Sequence, residues 1–208
     1  MTFKKPIAVL ISGSGSNLQA LIDACADQEF PAKIVLVISN KENAFGLKRA
    51  EMANIPTKII KNTDFSDREV FDSALHNEIV KSGAEYVCLA GFMRLLTASF
   101  VDKWQNKMLN IHPSLLPSFK GTNTHAQALN LGVKIHGCTV HYVVPEMDAG
   151  KIIIQAAIAI KNNDTTETLG ARVLEAEHII YPLALKKVIL NIAELDYNML
   201  CNESLLIA

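Results

Sequence analysis

From residue 7 onward, short β-branched runs alternate with helix-length amphipathic segments, and this rhythm constrains the fold more than any other feature of the sequence. It predicts strands at 7–11, 34–39, 57–60 and 86–90, with helices between them at 16–26, 45–54 and 66–81. Parallel strands need a crossover of a dozen or more residues, and a helix supplies it. The continuous apolar run Ile7-Ala8-Val9-Leu10-Ile11 suits a strand covered on both faces. In the helix at 66–81, Val70, Leu75, Ile79 and Val80 are taken as the apolar stripe, with Asp64, Ser66 and Asp67 as candidate caps.

Past a strand at 108–111 the pattern changes. An irregular segment, 113–121, leads to a short helix at 125–131, then to strands at 137–144 and 151–160 flanking the turn 145–150. A long helix follows at 165–190, which Pro182 is expected to kink. With no repeat or linker, the sequence predicts one α/β domain over 1–208: an open, mostly parallel twisted sheet with helices on both faces. It divides into halves at 1–90 and 91–190 and a tail, 191–208, to which no role is assigned.

Composition removes several function classes. Twenty Lys+Arg against 21 Asp+Glu give a net charge of −1, so no global field draws the chain to nucleic acid or to an anionic membrane. The apolar start at residues 6–11 is too short for a signal peptide, and no run approaches the roughly 20 residues that span a bilayer, so a cytoplasmic protein is expected. Cys25, Cys88, Cys138 and Cys201 form no CxxC pair, which argues against a thiolate metal site.

Gly13-Ser14-Gly15-Ser16-Asn17 lies between the first strand and the first helix, where free backbone N–H groups and the positive helix end favour an anion. The dinucleotide fingerprint would need a third glycine where Leu18 stands, and a Walker loop would need Gly-Lys-Ser/Thr. A single phosphate or ribose phosphate fits the loop. So does a plain tight turn with a helix cap, and the motif alone leaves both open.

Asn110 and His112, two residues apart at a strand end, project to one side, and Pro113 ends the ladder there. An amide donor beside an imidazole suits a carbonyl oxygen that becomes an oxyanion, and a nearby carboxylate, with Asp148 the leading candidate, would support a protonated ring. The bland alternative is a turn asparagine, a satisfied histidine and a turn aspartate. His136 and His141 are expected on opposite faces and no HExxH accompanies them, so no metal site is expected. Neither a Gly-x-Ser-x-Gly elbow nor a polar setting for Cys138 supports a covalent nucleophile.

These motifs, in order, resemble the folate-dependent formyltransferases: Ile11-Ser12-Gly13-Ser14-Gly15-Ser16-Asn17-Leu18-Gln19-Ala20, then Ala90-Gly91-Phe92-Met93-Arg94-Leu95-Leu96, then Asn110-Ile111-His112-Pro113-Ser114-Leu115-Leu116-Pro117, then Asp148. The likeness runs over about residues 7–185 and implies a Rossmann-like formyltransferase fold. Within the family, length and an early first strand favour the branch acting on glycinamide ribonucleotide. Relatives with a tRNA-binding barrel or an amino-terminal regulatory domain fit less well. The resemblance implies that Asn110, His112 and Asp148 are catalytic. It implies that Gly15, Ser16, Asn17 and Glu177 bind the ribonucleotide, and that Arg68, Met93, Arg94, Leu95, Leu96 and Asn110, with the turn at 144–148, hold 10-formyltetrahydrofolate. It implies small-molecule substrates, de novo purine synthesis, no metal, and a monomer or homodimer. The run Ser118-Phe119-Lys120-Gly121-Thr122-Asn123-Thr124-His125 departs from the family pattern, with Lys120 expected to restore a positive charge beside the nucleotide.

Overall fold

The computed structural model describes residues 4–192 and 206–207. Its elements run β1 (Lys5–Ile11), α1 (Ser16–Ala26), β2 (Ala32–Ser39), α2 (Phe45–Met52), β3 (Thr57–Ile59), α3 (Arg68–Lys81), β4 (Tyr86–Leu89), α4 (Ala98–Lys103), β5 (Met108–His112), α5 (Thr124–Asn130), β6 (Ile135–Tyr142), β7 (Ile152–Ala159), α6 (Thr166–Leu190) and β8 (Leu206–Ile207). One sheet takes them in the order β3-β2-β1-β4-β5-β6-β7-β8. The pairings from β3 to β5 are parallel, and those from β5 to β8 are antiparallel.

Alternation along β1 divides the core. Ile7, Val9 and Ile11 join Leu18 and Leu21 of α1, Leu47 and Ala50 of α2, and the buried stripe of α6. Ala8 and Leu10 face the other way, onto Phe71, Leu75 and Ile79 of α3 and Phe100 and Val101 of α4. Tyr181 of α6 is wholly buried, and its hydroxyl donates to the Leu89 carbonyl at 2.9 Å, fastening the long helix to the sheet. α3 begins where Asp67 accepts the Val70 N–H at 2.8 Å, and α6 opens on a capping box formed by Thr165 and Thr168.

Two features differ from expectation. The buried stripe of α3 is Phe71, Leu75 and Ile79 at helical i, i+4, i+8 spacing, whereas Val70 and Val80 are exposed. α4 is an additional short helix, started by the Thr97 hydroxyl accepting from Phe100 N–H. α6 runs unbroken from Thr166 to Leu190 with Pro182 inside it, as the expected span of 165–190 has it. Most of the tail at 191–208 lies outside the described residues.

Strand order determines where a ligand can sit. The chain runs outward from β1 to β2 and β3, then returns to place β4 on the other side of β1. At such a switch point the loops after neighbouring strands diverge and leave a crevice at their carboxyl ends. The segments following β1, β4 and β5 all emerge at that edge.

Candidate active site

β5 delivers Asn110 and His112 to one face, since Leu109 and Ile111, which alternate with them, enter the α1/α6 core. Antiparallel pairing sets His141 opposite Asn110 and Thr139 opposite His112. Asp148 arrives from the turn between β6 and β7 with φ +50. The turn is pinned by Gly150, where an added Cβ would lie 1.6 Å from the Tyr142 carbonyl oxygen.

These residues form one connected network. Asp148 Oδ2 stands 3.5 Å from His112 Nδ1 and accepts the Gly121 N–H at 2.9 Å. His112 Nε2 donates to the Phe119 carbonyl at 2.9 Å, because a carbonyl can only accept. His141 Nδ1 is committed in the same way to the Tyr142 carbonyl, also at 2.9 Å. Burial holds the His141 pKa below the ordinary histidine value and favours the neutral ring. Its bare Nε2 then accepts from Asn110 Nδ2 at 3.1 Å, which fixes the amide orientation and leaves the second Asn110 N–H for a ligand. Sequence reasoning considered His141 only as a metal ligand. The signal for its actual place is cross-strand register with Asn110, which appears only once β6 is known to be antiparallel.

The loop after β1 makes a second cluster. Gly15 has φ +69, and an added Cβ would meet Gly46 Cα at 2.5 Å, so both conformation and contact demand glycine. Asn17 Nδ2 donates to Glu177 Oε2 at 2.6 Å in a buried setting. Burial pushes the Glu177 carboxyl up to about 7, against the opposing pull of the Asn17 hydrogen bond. Asn17 Oδ1 is buried without a hydrogen-bond partner among the described residues, an acceptor awaiting a donor.

The run 93–96 lies between these clusters at the same sheet edge. Met93 is 70% exposed and Leu95 56%, so neither is a core residue, while Leu96 is half-buried against the α3/α4 core. Met93 N–H donates to Ser12 Oγ at 2.8 Å, tying the run to the end of β1. Arg94 lies over the Phe71 ring at 5.0 Å. Arg68 opens α3 as an exposed residue, and among the described residues nothing bonds it to the other predicted site residues. Lys120 meets Glu146 at 3.4 Å, so its charge is directed to the 145–150 turn. A concavity of about 550 Å³ lies on the outer side of the α1/α6 pair; it shares Ser16 with the loop and lacks the Asn110 network, so it does not mark the chemistry. Among the described residues no group of three or more His, Cys, Asp or Glu side chains could hold a metal ion.

Residues 5–185 match the formyl transferase family. The chain belongs to that family. It is 46% identical over 179 residues to the phosphoribosylglycinamide formyltransferase of Escherichia coli, covering 86% of this chain and 84% of the relative. It is 54% identical over 185 residues to the trifunctional purine biosynthetic protein adenosine-3 of Bos taurus, covering 89% of this chain. The chain spans only 18% of that relative's length. Among solved structures, glycinamide ribonucleotide transformylase 1 of Symbiobacterium toebii superposes with a TM-score of 0.89 at 43% identity, covering 90% of this chain and 89% of the other. This formyl transferase thus has its Asn110, His112 and Asp148 drawn together at the carboxyl edge of the sheet, with the β1 loop on the same edge.

Proposed function

We propose that the chain transfers the formyl group of 10-formyltetrahydrofolate to the amine of glycinamide ribonucleotide, giving the N-formyl ribonucleotide and tetrahydrofolate in purine synthesis. The observation that carries this reading is the Asn110, His112, Asp148 network, with an oriented amide donor beside an imidazole and a carboxylate. The relatives named for this reaction support it.

The amine nitrogen attacks the formyl carbon, and the carbonyl electron pair moves to oxygen. The free Asn110 N–H receives that oxyanion, its direction set by His141. The His112 Nε2–H exchanges the weak Phe119 carbonyl for the developing negative charge, while Asp148 at 3.5 Å steadies a proton on Nδ1. Asp148 also takes the proton that the attacking amine sheds, through water. The carbonyl then reforms, the bond to folate nitrogen breaks, and that nitrogen leaves with the electron pair and takes up the proton that Asp148 received, returned through water.

The loop Gly15, Ser16, Asn17 holds the ribonucleotide phosphate on open amides at the start of α1, and Glu177 and Asn17 Oδ1 offer polar partners to the same molecule. Met93 and Leu95 present uncovered apolar surface for the flat pterin, with Arg94, Leu96 and the turn at 144–148 completing its surroundings and Arg68 of α3 assigned to the same ligand. Residues 1–90 supply the phosphate side and 91–190 the folate and the chemistry, except that Arg68 belongs to the folate side and Glu177 crosses back to Asn17. Such ligands need no metal, nucleic acid or membrane, and no helix among the described residues is long and apolar enough to cross a bilayer.

Tetrahydrofolate release from a 10-formyl folate, followed spectroscopically with and without glycinamide ribonucleotide, tests the proposal. Release only with the ribonucleotide supports it. Release into water alone would mark a hydrolase, and saturable binding without release would mark a binding module.

A further inference from the structure

α2 lies against the back of the β1 loop, and no motif assigns it a function. Gly46 N–H donates to the Gly13 carbonyl at 3.1 Å. Arg49 Nε donates to the Ser14 carbonyl at 2.9 Å. A trans peptide is planar, so its N–H points opposite to its carbonyl. Drawing the carbonyls of Gly13 and Ser14 toward α2 therefore aims the amides of Ser14 and Gly15 away from it. The first bond inside α1 runs from Gln19 N to Gly15 O, which leaves the earlier helix amides open. The Ser14 and Gly15 amides extend this open set into a concave nest, a backbone form that suits a phosphate.

The guanidinium is itself held in place. Arg49 Nη1 donates to Gln19 Oε1 at 3.2 Å, and the group stacks 5.0 Å above the Phe45 ring. Its planar fork thus reaches Ser14 on one side and α1 on the other, a geometry that an ammonium cannot copy.

We infer that Arg49 is a positioning residue for phosphate recognition, acting through the Ser14 carbonyl to set the amide cradle. This rests on the proposal that the β1 loop binds the phosphate of the ribonucleotide. It is specific to the ribonucleotide and leaves folate binding and the chemical step alone.

The test compares Arg49→Gln and Arg49→Lys with the unaltered chain for kcat, both KM values and competitive inhibition by inorganic phosphate, with Asn17→Ala as the control for the cradle itself. Arg49→Gln should raise the ribonucleotide KM about tenfold, equivalent to ~1.4 kcal/mol, and weaken phosphate inhibition by a similar factor. Its kcat and folate KM should stay within about twofold, and Arg49→Lys should not restore the ribonucleotide KM. Restoration by lysine would show that charge alone acts and would overturn the inference. An unchanged ribonucleotide KM in Arg49→Gln, or parallel losses in kcat, both KM values and Tm, would overturn it as well. Should Arg49→Gln fail to fold, Gln19→Leu, which removes the second anchor of the guanidinium along with an exposed Gln19–Asp23 hydrogen bond, must raise the ribonucleotide KM two- to threefold; no change would count against the inference. A raised ribonucleotide KM in Asn17→Ala with none in Arg49→Gln sinks Arg49 and spares the phosphate site, whereas no effect in Asn17→Ala sinks the phosphate site.

Discussion

Glu177→Gln separates the electrostatics of the nucleotide side from its shape. Glu177 is 6% exposed, and burial raises its carboxyl from 4.5 to about 7. The folded chain therefore holds this proton more tightly than the unfolded chain does. The stability gained in this way is complete below pH 4.5 and is lost as pH rises through about 7. At 1.36 kcal/mol per pKa unit, the loss amounts to roughly 3 kcal/mol. Glutamine is nearly isosteric, still accepts from Asn17 Nδ2, and does not ionise. Urea unfolding of both proteins at pH 5 and pH 8 measures the effect. His125, His136, His141 and His178, all lowered mainly by burial, remove stability in acid from both proteins and cancel in the difference. Glu177→Gln should gain about 2.5 kcal/mol on the unaltered chain between the two pH values. A pH-independent difference would refute the buried, proton-holding carboxyl.

Other expectations concern the catalytic network. Loss of the oxyanion donor in Asn110→Ala should lower kcat by about 10²–10³ with the fold intact by circular dichroism. His141→Ala frees the Asn110 amide to rotate, and steady-state kinetics should show kcat down roughly tenfold with both KM values little changed. Gly150→Ala forces a Cβ to within 1.6 Å of the Tyr142 oxygen, so thermal unfolding should report a loss on the order of 3 kcal/mol or more.

Features governed by local chemistry were legible in the sequence. The glycines and the helix start after β1 announce the turn, and Pro113 announces the end of β5 just past His112. Strand period alone puts Asn110 and His112 on one face. The partners chosen by tertiary structure were not legible. α4 is a single short element whose start rests on one threonine and whose Thr97 N–H is also held by Asp72 of α3 at 2.6 Å. Val70 and Val80 are apolar at plausible positions, yet α3 turns Phe71 inward instead, because its orientation follows the sheet face it covers. His141 and Arg49 gain their roles across strand pairing and helix packing, through residues 31 and 35 positions away in the sequence. Separations of that kind leave no local pattern.

The central claim is that Asn110, His112 and Asp148 pass a formyl group to a phosphate-anchored amine. The most direct test follows a carbon-13 formyl group by nuclear magnetic resonance, from labelled 10-formyltetrahydrofolate, in the unaltered chain and in Asp148→Asn. The account predicts that the label appears as the formamide of the ribonucleotide, at a rate at least about a hundredfold lower in Asp148→Asn. Label released as formate, or equal transfer rates in the two proteins, would contradict it.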